Sequence, residues 1–144
     1  MNDKDLKHQT NQVMFALMKE KGMITAVDVF MSLGVLSKTD YERWRRGEIP
    51  YLERVCKINL RKLSEINREM RVFAEKNKLK PSWAYYKQWS NGKFKNKPVK
   101  SIKLRFSKSG DENIERQYAT HYISKQTLDE IAESRNQKEK PAVI

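Results

Sequence analysis

Residues 33–55 read "LGVLSKTDYERWRRGEIPYLERV". Gly34 can take the left-handed conformation that ends one helix and turns the chain toward the next. Ser37, with Asp40 three residues on, is a capping-box pattern that opens a helix over "KTDYERWRR", and Gly47 stops it. Pro50 then stands where the first turn of a following helix tolerates proline. Tyr41 and Trp44 are spaced to pack inward, which leaves Lys38, Thr39, Glu42, Arg43 and Arg46 pointing out. The stretch is therefore either a DNA-reading helix-turn-helix or part of a helical core that happens to carry arginines.

Working upstream, Val13, Phe15, Ala16, Leu17 and Met18 place a first helix over residues 5–21, ended by Gly22. Thr25 and Asp28 form a second capping box, opening "AVDVFMSL". Downstream, Leu52, Cys56, Asn59, Leu63, Ile66, Met70 and Phe73 step by four and three, an apolar seam with one polar interruption. They predict one long helix over about residues 50–78, roughly 42 Å from end to end. Arg54, Lys57, Arg61, Ser64, Arg68 and Arg71 repeat the steps on the opposite face, about 200° away at 100° per residue. Glu53, Glu65, Glu69 and Glu75 lie among these bases, so an ordinary solvated face explains the stripe as well as a binding surface does.

Residues 19–58, "KEKGMITAVDVFMSLGVLSKTDYERWRRGEIPYLERVCKI", resemble the Cro/repressor-like helix-turn-helix family. The shared marks are Lys21-Gly22, Leu33-Gly34-Val35 followed by Ser37, then Trp44-x-x-Gly47 and Pro50 with Leu52, Val55 and Ile58. The resemblance implies that the helix opened by Ser37 lies in a major groove with its early residues at the base edges. It also implies the work of a transcriptional regulator or a mobile-element accessory protein. Leu36 lengthens the turn relative to the family, and Phe30 or Met31 stands where a small residue is usual.

Charge points to the same partner class from a different part of the chain. The net charge of +12 is uneven: residues 76–110 hold 11 Lys and Arg and no Asp or Glu. Residues 1–75 are nearly balanced, with 14 bases against 11 acids, and residues 111–144 carry five against seven. A field this focused attracts polyanions, nucleic acid first among them. Within residues 82–108, Trp83, Tyr85, Tyr86, Trp89, Phe94 and Phe106 interleave with Lys87, Lys93, Lys95, Lys97, Lys100, Lys103, Arg105 and Lys108. Rings that stack on bases beside lysines that neutralise phosphates are the equipment of single-strand binders. The same segment also suits a basic wing on a duplex backbone. Trp83, Tyr86 and Trp89 on a short helix, "SWAYYKQW", would instead close the core.

After it, alternation of Ile102, Leu104 and Phe106 with Lys103, Arg105 and Ser107 predicts a strand, and "IERQYATHYI" its return, making a β-hairpin over residues 101–123. A short helix follows from Thr127 to about Arg135. No cofactor motif, no cysteine pair at metal-ligand spacing and no HExxH occurs. Glu115, Gln117 and His121 share one face of the expected return strand, near Asp111 and Glu112, the germ of a metal-dependent nuclease site. Cys56, the single cysteine, sits on the seam as a buried, inert thiol and fits a reducing cytosol. The amino end lacks the apolar run of a signal peptide, and no stretch approaches the ~18 apolar residues of a membrane span.

The expectation is thus a cytoplasmic, mainly α protein with a C-terminal β-hairpin. It divides into a helical domain over residues 1–90, a basic loop, hairpin and short helix over 91–135 packed on it, and a flexible tail over 136–144. Its expected function is non-catalytic nucleic-acid binding without cofactor or metal, duplex DNA preferred. Lys38, Thr39, Arg43 and Arg46 would approach the groove, and Lys93, Lys95, Lys97, Lys100, Lys103, Arg105 and Lys108 would hold phosphates. RNA or single-stranded DNA on residues 82–108 is the first alternative. A protein-interaction module, forming a homodimer through the long helix, and a small nuclease are the others.

Overall fold

Each helix begins where a short polar side chain can take up a backbone N–H that has no partner in the first turn. In a computed structural model that describes residues 2–89 and 102–139, with side chains in the last helix as far as residue 135, these caps set the element boundaries. Asn2 accepts from Asp5 N at 2.8 Å and opens α1 (Asp3–Lys21). Thr25 opens α2 (Ala26–Ser32), and Ser37 opens α3 (Lys38–Arg45), each accepting at 3.1 Å from the residue three ahead. Asn59 accepts from Lys62 N at 2.9 Å and opens α4 (Leu60–Lys76). Asp111 opens α5 (Glu112–Ala119), which runs directly into a strand, and α6 (Lys125–Glu139) ends the described chain. None of the described helices is long and apolar enough to cross a membrane.

Three short strands complete a mainly α-helical fold. β1 (Met23–Ile24) and β2 (Lys80–Trp83) both pair antiparallel with β3 (Thr120–Ile123), in the order β1-β3-β2. The sheet joins the amino end, the middle and the carboxyl end of the chain, so residues 1–90 and 91–135 share one core. The C-terminal antiparallel pair is present, but its members are β2 and β3 rather than residues 101–107 and 114–123. Where a short helix was expected to begin at Pro81, an edge strand forms. An edge tolerates proline, whose missing N–H can face away from the ladder. Residues 112–119 are helical, where 114–119 are expected as the start of the return strand, with Glu115, Tyr118 and Ala119 buried at helical spacing.

The long helix expected over residues 50–78 is shorter at its start. Leu52–Val55 form a separate 3-10 turn, Cys56 is extended, and α4 starts only after Asn59. The polar interruption in the apolar seam is the cap of the helix. Leu63, Ile66, Met70 and Phe73 are buried in the core, where α4 packs on α1, so this seam is already used inside the chain. The predicted terminal helix runs on to Glu139, into the expected tail; residues 140–144 lie outside the described residues.

The centre of the core is aromatic. Trp44 lies 5.1 Å from Phe106 and 5.5 Å from Tyr86, while Phe106 stacks on Tyr118 at 5.5 Å. Phe30, fully buried, meets Tyr118 edge-on at 6.1 Å, so the bulky side chain in the first helix of the turn unit is directed into α5. Glu115 belongs to this core as well. Its carboxylate accepts from Phe106 N at 2.9 Å, Ser107 N at 2.8 Å and the Ser107 hydroxyl at 2.7 Å. A buried charge persists only when so satisfied, and this one ties residues 106–107 to α5.

Candidate nucleic-acid interface

The turn between α2 and α3 has the left-handed glycine that its sequence calls for, Gly34 at φ 75. Beyond α3, Gly47 at φ 80 lies so close to Gln88 that a Cβ there would stand 2.5 Å from its amide oxygen. The inner face of α3 is held by Trp44, fully buried, whose indole N–H donates to the Arg105 carbonyl at 2.9 Å. The outer face exposes Lys38, Thr39, Arg43 and Arg46, while Glu42 is half-buried. Arg43 pairs with Asp40 at 3.3 Å and Arg46 with Glu48 at 2.7 Å. Exposed pairs of this kind are worth at most about 1 kcal/mol, so a phosphate can draw these guanidinium groups away at little cost.

Arg45, which the sequence reading left aside, turns the other way. Its guanidinium lies 5.9 Å from the Tyr41 ring, 5.0 Å from Tyr86 and 5.1 Å from Trp89, and donates to the Tyr41 hydroxyl at 3.2 Å. The Arg45 carbonyl accepts from Trp89 N at 2.7 Å. Here two short backbone segments run antiparallel: Gln88 N donates to the Ile102 carbonyl and Leu104 N to the Tyr86 carbonyl, both at 2.8 Å, around a bridge between Lys87 and Lys103. Leu52 N and Glu53 N donate to the carbonyls of Arg105 and Phe106. The base of this ribbon is thereby fastened to the carboxyl end of α3 and to the 3-10 turn.

Lys103, Arg105 and Lys108 are exposed on the returning segment. The Lys103 ammonium lies 3.6 Å from the Tyr85 ring centre. Arg105 lies over Tyr51 at 5.6 Å and donates to the carbonyls of Ser107 and Lys108, which fixes its fork. Lys93, Lys95, Lys97 and Lys100 lie outside the described residues. Of the aromatics expected to close the core, only Tyr86 does so; Trp83 and Trp89 are exposed. No protein family, curated protein or solved structure matches this chain.

The groups considered for a nuclease are not brought together. Glu115 is committed to Phe106 and Ser107, Asp111 caps α5, and His121 sits on β3 with its ring edge-on to Tyr86 at 5.9 Å. Burial holds the His121 imidazole below its usual pKa, the charge of Asp28 opposing. Among the described residues no cluster of three metal-ligating side chains occurs. The Cys56 thiol is pushed up to about 12, mainly by burial, so it is protonated and a poor nucleophile near neutrality.

Proposed function

We propose that this chain is a non-catalytic nucleic-acid-binding protein that takes duplex DNA, with α3 at the groove and the basic ribbon on the adjoining backbone. The observation that carries the reading is the junction of Arg45 with Trp89. It ties the amino-terminal end of the stretch that holds Lys93, Lys95, Lys97 and Lys100 to the helix bearing Lys38, Arg43 and Arg46. The carboxyl-terminal end is tied to the same helix by Trp44 and Arg105. The described ends of that stretch are thus both fastened to α3, which supports reading the helix and the stretch as parts of one binding surface.

The test is a fluorescence-anisotropy titration against duplex DNA, single-stranded DNA and RNA of equal length at several salt concentrations. Duplex is expected to bind most tightly, with the logarithm of affinity falling linearly with that of salt. Replacing Lys93, Lys95 and Lys97 by alanine should reduce that slope by about three and weaken all sequences alike. Replacing Arg43 and Arg46 should change the preference between sequences. Absent or salt-independent binding overturns the reading, and tighter binding of single strands overturns its duplex part.

A further inference from the structure

The antiparallel register of β2 with β3 puts Pro81 and Trp83 on the same sheet face as Tyr122 and Thr120. The face of α4 that carries Ser64, Asn67, Arg68 and Arg71, at spacings of three and four, lies over it. The carboxyl end of α5 closes one side with Arg116 and Gln117. Together they enclose an open cavity of about 520 Å³, within the size range of small-ligand sites. Arg68 and Arg71 are two of the five bases of the stripe on residues 54–71, which the groove-reading surface does not use.

The chemistry of the walls is unequal. Three guanidinium groups face one carboxylate, Glu75, among the described lining residues. Arg68 approaches Glu65 no closer than 4.0 Å, and Arg116 bonds Glu112 at 3.3 Å in an exposed helix pair. Arg116 also lies 4.4 Å from the centre of the Trp83 ring, which is 55% exposed. On the same walls Asn67 Oδ1 and Arg116 Nε are buried without a protein partner. An acceptor, a donor, two further forks and an open indole therefore meet in one concavity. Guanidinium forks match phosphate oxygens, and an indole face stacks on a planar heterocycle.

We propose that this cavity is a binding site for a nucleoside phosphate, with Arg71 and Arg116 donating to the phosphate, Asn67 Oδ1 accepting from the exocyclic amino group of the base and Trp83 stacked on the base. The ligand is either a free mononucleotide or one unit of a single strand passing through. The proposal does not rest on duplex binding by α3, since no residue is shared between the two surfaces.

The full chain would be titrated with adenosine 5′-monophosphate, inorganic phosphate and a single-stranded oligodeoxyadenylate. Binding would be followed by tryptophan fluorescence and by the Trp83 indole N–H resonance, assigned with Trp83→Phe. The nucleotide or the oligonucleotide should quench Trp83, and which of them binds tighter identifies the source. The double replacement Arg71→Gln with Arg116→Gln, and separately Trp83→Leu, should each weaken binding about tenfold or more. Arg71→Gln alone, on an exposed helix position, covers the case in which the double variant misfolds, and it too should weaken binding. Lys19→Ala, at an exposed position on α1 outside both surfaces, should change nothing. No response to either ligand up to about 10 mM, weaker than any specific site, overturns the proposal. So does inorganic phosphate binding as tightly as the nucleotide, or unchanged affinity in the variants.

Discussion

Replacing Glu115 with alanine removes the acceptor of two backbone N–H groups that have no access to water, those of Phe106 and Ser107. The Ser107 hydroxyl keeps a partner, since it accepts from Gly110 N at 3.0 Å. Each stranded buried donor costs about 1–3 kcal/mol, so the two together cost about 2–6 kcal/mol, with about 4 kcal/mol as the central value. That is a large share of the ~5–15 kcal/mol that holds a domain folded. At about 2–4 °C per kcal/mol for a chain of this size, the midpoint of thermal unfolding should drop by about 8–16 °C. Glu115→Gln keeps one acceptor oxygen and the shape, so it should lose roughly half as much. Urea unfolding followed by the fluorescence of Trp44, at constant m-value, measures both variants. An alanine variant within about 0.5 kcal/mol of the parent, the scatter of ordinary surface changes, would refute the reasoning.

Arg45→Met keeps the aliphatic stem but removes the charge from among Tyr41, Tyr86 and Trp89. At about 0.5–1 kcal/mol for each ring it should destabilise the chain by about 1.5–3 kcal/mol and speed amide exchange at Trp89. Exchange at Trp89 as slow as in the parent would show that the ribbon is held without Arg45. His121 gives a pH signature. Its folded pKa is depressed below the usual 6.5, so the unfolded chain binds the proton more readily. The stabilising contribution is therefore present above 6.5 and declines as pH falls from there toward the folded value. His121→Phe, which keeps a ring against Tyr86, should remove that part of the pH dependence of unfolding; an unaltered profile would assign it to other groups.

What could be read from the chain beforehand depended on how locally each element is decided. The caps at Thr25 and Ser37 were legible because donor and acceptor lie three residues apart. The left-handed glycine at 34 was legible for the same reason. Asn59 was visible as a flaw in an apolar seam, but its meaning as a cap shows only when Cys56 is extended. α5 was obscured by its own core: a glutamate at a buried position hides the spacing of Glu115, Tyr118 and Ala119, and β-branched and aromatic neighbours then favour strand. β2 depends wholly on β3, some forty residues away, because a four-residue strand containing Pro81 has no local reason to be extended.

The two candidate surfaces divide along the same line. Outward residues of α3 follow from one helix and one buried tryptophan, so Lys38, Thr39, Arg43 and Arg46 could be named in advance. Lys103, Arg105 and Lys108 could be named from composition, but their attachment to α3 runs through the carbonyls of Arg45 and Arg105, which carry no side-chain code. The cavity under α4 was out of reach for a further reason. Its parts come from α4, β2, β3 and α5, and the local sequence pattern favours helix at β2 and strand at α5, the reverse of what long-range pairing produces. Arg116 meets Trp83 only because α5 runs without a break into β3. Charge by itself groups no particular arginines; the pairing of β2 with β3 and the run of α5 into β3 put Arg68, Arg71 and Arg116 on one cavity.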